Sequence, residues 1–389
     1  MAVINRIAEF EPDLRAWRRH LHTIPELDFD LFDTAAFVAG RLSESGVDEV
    51  HEGIARTGIV ALIRGREPGP VVGLRADMDA LPIEEAVDRP WKSTRPGRMH
   101  ACGHDGHTAI LLGAARYLAE ARSFAGTVAL IFQPSEEMSG GGRAMVEEGM
   151  MERFGIGRVF GLHNEPGRPL GEIGLRAGPL LAAVDDFRVR LPGRGGHAAY
   201  PQACVDPVPA ALGIGQALLT IPARRADPLA EIVVSLTVLR AGEAENVIPE
   251  VAELGGTVRT LDEGVRAMAK AAVEKIVEAT ASAFGVAAEL DYRLGYPVLV
   301  NDQAEAAFCA EVAAGVVGEA MVVADRRPEM GAEDFAYMLQ ARPGAYVFLG
   351  TGDGAGLHHP AFDYNDEATP IGASYFVRLV EAALPLGGR

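Results

Sequence analysis

Apolar positions recur at helical spacing from the start: Ile4, Ile7, Phe10, Leu14, Trp17 and Leu21 fall on one face and predict an amphipathic helix. After the turn TIPELDF, residues Phe32 to Glu44 predict a second helix, ended at Gly46. The pattern then changes. TGIVALIRG and PVVGLRADMD are continuous apolar runs, as in strands buried on both faces, and the second finishes in Asp77 and Asp79. A helix follows over 108–121, then a buried strand from Val128 to Phe132 that Pro134 stops, with Glu136 and Glu137 directly beyond. A glycine turn, the helix RAMVEEGMME and a third buried strand, GRVFGLHN, lead to His163. Strands alternating with helices predict a mostly parallel sheet covered by helices on both faces, an α/β domain.

Around Leu180 the period shifts to alternation. DDFRVRLPGRGG, EIVVSLTVLRAG, EVAELGGTVRTLD and AELDYRLGYP read as half-buried strands, with helices at VDPVPAALGIGQALLTIPA and VRAMAKAAVEKIVEATASAFG. The order βαββαβ implies an antiparallel sheet with helices on one face, inserted as a second, α+β domain. Beyond Val300, helices and one apolar strand, AYVFLGTG, return the chain to the first domain. The expected division is a catalytic domain in two parts, 1–180 and 296–389, interrupted by an inserted domain over 181–295.

A length of 389 residues suits two domains, and 48% hydrophobic with 23% charged residues is ordinary globular composition. A net charge of −18 with no basic cluster excludes nucleic acid and anionic membranes as partners. Cys102, Cys204 and Cys309 are odd in number and dispersed, which argues against a disulfide framework and for a reducing compartment. No signal-peptide core and no apolar run near ~20 residues is present, so a cytoplasmic protein is expected.

The chemistry concentrates in MHACGHDGH, Met99 to His107, where one cysteine and three histidines share nine residues. Thiolate and imidazole two positions apart, at Cys102 and His104, form a ligand pair for a divalent metal. Asp105 alternatively reads as a plain N-cap for the helix behind them. Glu136 and Glu137 follow a second strand, His163 ends a third and His358 follows a fourth. Such positions meet outside the carboxyl ends of the strands in an open α/β sheet. One thiolate, three imidazoles and a carboxylate exceed a single tetrahedral site and imply two metals, leaving one carboxylate of the Glu136–Glu137 pair free as a general base.

The motifs MHACGHDGH, QPSEE, GLHN, GRGGHAAYPQACVDPV, AENVIPE, GTVRTLD, MGAEDFA and LHHPAFDYNDE occur in an order that closely resembles a metal-dependent amidohydrolase and peptidase family. That family includes hippurate hydrolase, plant indole-3-acetyl-amino-acid hydrolases, aminoacylase and carboxypeptidase G. The Cys-Gly-His form is similar to the hippurate hydrolase branch. The resemblance implies that Cys102, His104, Glu137, His163 and His358 hold two divalent metals, Mn or Zn first and Co or Ni next, with Glu136 as general base. It implies that Asp77 matches an acidic residue of the family's His-x-Asp motif, with Arg75 in the histidine's place, so Asp77 is left as an orienting residue. In the inserted lid and dimerisation domain it implies that His197 helps hold the oxyanion in a neighbouring subunit, and that Asn246 and Arg259 grip a substrate carboxylate. Gln202 stands where many relatives have a second histidine. The expected activity is hydrolysis of N-acyl-L-amino acids by a homodimer. A metallo-dipeptidase or carboxypeptidase is the alternative, and a catalytically inactive conjugate-binding protein a further one.

Overall fold

The computed structural model describes residues 3–387. The chain divides into two compact units: Met1–Gly178 with Val300–Arg327 and Asp334–Arg389, and Pro179–Leu299 with Pro328–Glu333.

The first unit opens with α1 (Asn5–Thr23), which buries Ile7, Phe10, Leu14 and Leu21 along one stripe, and α2 (Phe32–Ser45), which ends at the left-handed Gly46. Strands β1 (Glu49–Ile54), β2 (Gly58–Arg64) and β3 (Glu67–Asp77) follow, then α3 (His104–Ala121), β4 (Ala125–Gln133), α4 (Gly141–Glu147), β5 (Ile156–Glu165) and the short β6 (Ile173–Gly174). The second unit contributes β7 (Ala183–Pro192), β8 (Gly196–His197), α5 (Pro207–Leu218), β9 (Ile232–Ala241), β10 (Val247–Ile248), β11 (Val251–Thr260), α6 (Glu263–Ala283) and β12 (Glu289–Leu294). The first unit resumes with α7 (Gln303–Val317), β13 (Val322–Val323), α8 (Phe335–Ala341), β14 (Gly344–Gly350) and α9 (Ala368–Ala383).

The eight-stranded sheet of the first unit runs β1-β2-β4-β3-β5-β14-β6-β13. Its centre is parallel: β4 with β3, β3 with β5, and β5 with β14. The apolar runs explain this, because every residue of β14 and residues 128–133 of β4 are buried, as strands covered on both faces must be. Antiparallel pairing is confined to the β1–β2–β4 side and to β6 against β14. One core joins Val72, Leu74, Leu130, Phe132, Leu162 and Val347 of the strands to Leu111, Leu112, Val377 and Leu379 of the helices.

The second unit is a four-stranded antiparallel sheet, β9-β11-β7-β12. Along β7, Asp185, Phe187, Val189 and Leu191 are buried while Asp186, Arg188 and Arg190 are exposed, the period of two that a half-covered strand requires. Helices α5 and α6, each capped by an aspartate side chain (Asp206 and Asp262), bury Ile214, Leu218, Val273 and Val277 against that inner face. Beyond the end of the β7–β11 ladder, β8 and β10 pair as an antiparallel ribbon that places His197 opposite Val247. The fold is therefore a parallel-centred α/β sheet domain plus a separate antiparallel α+β domain, as the apolar pattern predicted. Among the described residues no helix is long and apolar enough to cross a membrane.

Candidate metal centre

Helix α3 starts at His104, four residues earlier than the apolar period indicated, because Gly103 takes a left-handed conformation (φ +90°) and turns the loop straight into the helix. Asp105 is accordingly no N-cap. Its carboxylate lies in the first turn and accepts from His22 Nδ1 at 2.8 Å. The turn brings Cys102 and His104 to the carboxyl ends of β3 and β5, where His163 stands. Cys102 Sγ lies 3.4 Å from His163 Nε2.

The next strand end supplies the carboxylates. Ser135, with φ +53°, bends the chain after β4, and Glu137 places Oε1 at 3.8 Å from His104 Nε2 and 3.3 Å from His358 Nε2. His358 adopts a left-handed backbone (φ +61°) and donates its N–H to the Ala101 carbonyl at 2.7 Å, which anchors this last segment to the cysteine loop. Three groups, Cys102 with His104 and His163, Cys102 with Glu137 and His358, and His104 with Glu136 and Glu137, each bring their own ligand-capable atoms within 4.8 Å of one another. All six sequence-predicted metal and base residues thus converge in the first unit.

His163 Nδ1 donates to the Asn164 carbonyl at 2.7 Å and His104 Nδ1 to Asp79 Oδ1 at 3.2 Å, so both rings turn Nε2 inward. His107 is excluded from ligation, since its Nε2 accepts the Asn164 backbone N–H at 2.9 Å while Nδ1 donates to Asp77 Oδ1 at 2.6 Å. Asp77 is further bound by Arg75 at 2.6 Å, and Arg75 by Gln133 and Asp334. Asp77 therefore orients His107, and the residue that orients His104 is Asp79. One Asp79 oxygen takes the imidazole and the other the Glu137 N–H at 2.9 Å. An acidic residue two places past Asp77 was visible in the sequence. Asn164, which also donates to the Cys102 carbonyl at 2.5 Å, gave no sequence signal.

Electrostatics test whether a cation fits. Burial alone would keep His104 neutral, but Asp77, Asp79 and Glu137 raise its pKa to about 10. Burial, then Glu137 and Glu136, push the Cys102 thiol well up. His104 Nε2 and Glu137 Oε1 are buried without a hydrogen-bond partner. Protons held by the surrounding negative charge, and inward atoms left unpaired, are what a divalent cation displaces and satisfies. The residues fit one.

In the second unit His197 is exposed on the ribbon, and the Asn246 carbonyl accepts the neighbouring Ala198 N–H at 3.0 Å. Arg259 stands at the far end of β11, opposite Val184, half-buried with Nη1 donating to the Met330 carbonyl at 3.3 Å. The unit brings His197 and Asn246 together and keeps Arg259 away from them.

Comparison with known proteins agrees with this geometry. The sequence profile described as peptidase family M20/M25/M40 matches residues 73–382. The chain is 41% identical over 372 residues to an N-acetyl-L-cysteine deacetylase of Bacillus subtilis, covering 95% of this chain and 88% of that one. It is 38% identical over 379 residues to the hippurate hydrolase of Campylobacter jejuni, covering 97% and 98%. The crystal structure of the Bacillus subtilis YXEP protein, described as a dinuclear metal-binding peptidase of the M20 family, superposes with a TM-score of 0.84 at 36% identity, covering 97% and 99%.

Proposed function

The chain belongs to peptidase family M20/M25/M40 and is a metal-dependent hydrolase, and from that premise we propose that it cleaves the amide bond of N-acyl-L-amino acids. Hippurate-like conjugates are the first substrates to expect, giving a carboxylic acid and a free amino acid. The observation that carries this reading is the inward-facing set of Cys102, His104, Glu137, His163 and His358, with two Nε2 atoms presented by bonds at Nδ1. Two divalent cations are assigned to it, Zn being favoured by the thiolate and Mn by the carboxylate. Bound cations supply Lewis acidity toward an acyl oxygen and bring the pKa of water toward ~7.

Glu136, buried beside Glu137, is assigned the proton work: it takes a proton from the attacking water and delivers it to the leaving amine. His197 is assigned to the developing oxyanion, and Asn246 with Arg259 to the substrate carboxylate, for which a planar guanidinium is the natural partner. From Val184, opposite Arg259, to Pro192 the strand β7 runs for roughly 26 Å at about 3.3 Å per residue, and His197 lies beyond that end on the β8–β10 ribbon. One small substrate cannot meet both Arg259 and His197. This supports a homodimer in which His197 and Asn246 of one copy serve the substrate that Arg259 of the other copy holds. The relatives' names support the substrate class, since hippurate and N-acetylcysteine are both N-acylated amino acids. Three free cysteines suit the cytoplasm.

The test is release of amino acid from a panel of N-acyl-amino acids and free dipeptides, by protein stripped with chelator and reloaded with Mn, Zn, Co or Ni. Activity should vanish on stripping and return on reloading, with hippurate outrunning dipeptides. Glu136→Gln should lower kcat by at least ~10²-fold while metal content stays unchanged. Near-normal turnover in that variant would remove Glu136 from the mechanism.

A further inference from the structure

Behind the metal loop lies a second polar cluster that the proposed reaction does not use. His22, near the end of α1, donates from Nδ1 to Asp105 Oδ2 at 2.8 Å and holds Nε2 at 3.5 Å from Glu85 Oε1. Arg18, one turn earlier, approaches Asp105 at 3.8 Å and donates from Nε to Asp366 at 2.6 Å. Arg18, His22 and Asp105 are 0–1% exposed. Buried ion pairs often stabilise no more than apolar residues of the same volume would. Nor are they needed to dock α1 on α3, because Leu14 already seats against Gly113.

Their location relative to the ligands is the informative point. Asp105 follows His104 directly, and its other oxygen accepts the Gly106 N–H at 3.0 Å, fixing the carboxylate within the first turn of α3. On the cysteine side the loop is clamped by Asn164, bonded to the Cys102 carbonyl. On the histidine side the backbone is held through Asp105. We infer that His22 is a positioning residue of the metal centre: through Asp105 it fixes the first turn of α3, and with it the direction in which His104 presents Nε2. This rests on the metal-site reading above.

The experiment loads stripped wild-type protein and variants with cobalt(II), following bound cobalt and the thiolate-to-cobalt absorption band. His22→Phe removes the donor and should weaken cobalt binding by about 10–100-fold, the range typical when the partner of a ligand's support is lost, and should displace the band. His22→Asn, whose amide nitrogen falls near the position of Nδ1, should recover most of the affinity. Asp105→Ser keeps a residue suited to a helix start but cannot reach His22, and should reproduce the His22→Phe defect even if that variant fails to fold. Folded His22→Phe or Asp105→Ser protein with wild-type affinity and an unchanged band would overturn the inference. Wild-type protein that binds no cobalt would overturn the metal site itself, and this inference with it.

Discussion

Asp79 serves two proposed ligands with one carboxylate, and removing half of that service is a sharper probe than deleting either of them. Asp79→Asn can still accept from His104 Nδ1 but presents an N–H to the Glu137 N–H, so the Glu137 turn should loosen. A 10–100-fold loss of metal affinity is expected by competition titration, with the fold intact by circular dichroism. His22 gives a second prediction at this scale. Burial opposes its charge, yet the Asp105 bond and Glu85 raise its pKa to about 9, against about 6.5 in the unfolded chain. Its contribution to stability is therefore complete below about pH 6.5 and lost as pH rises through about 9. The urea midpoint of the wild type should fall across that window more than that of His22→Asn. The proposed ligands stood out because cysteine is rare here and Cys102 shares nine residues with three histidines. Asp79 was half-legible, as an acid closing an apolar strand. Asn164 was not, because it works through its backbone carbonyl and an amide that any sequence position could carry.

Elements with continuous apolar runs were read with little error, and those without were missed. β1 has only Ile54 buried, so it presents no period to recognise. The start of α3 differs for another reason: glycine carries no helical signal, although a left-handed Gly103 is what lets the helix begin on His104. A Cβ at Gly103 would lie 2.4 Å from Asn164 Nδ2, and φ +90° disfavours any side chain there. Gly103→Ala should thus destabilise the fold by about 1 kcal/mol or more, visible as a lower Tm. It should weaken metal binding as well, since Asn164 must move and it holds both Cys102 and His163.

The molecule as a whole carries a charge of −18, while an N-acyl-amino acid is an anion. Long-range repulsion is screened as the Debye length falls from about 30 Å at 0.01 M salt to about 8 Å at 0.15 M. kcat/KM for hippurate should therefore rise over that range, whereas a neutral amide ester of the same size should show little change. The order of the sheet adds a consequence for biosynthesis. β14 lies between β5 and β6, yet it is translated after the whole second unit, and His358 comes later still. A ribosome-bound chain can complete the second unit while the first still lacks an interior strand and one of its proposed ligands. On the proposed ligand set, a chain cut short before β14 would lack both an interior strand and His358, and should hold a divalent cation more weakly than the whole chain does.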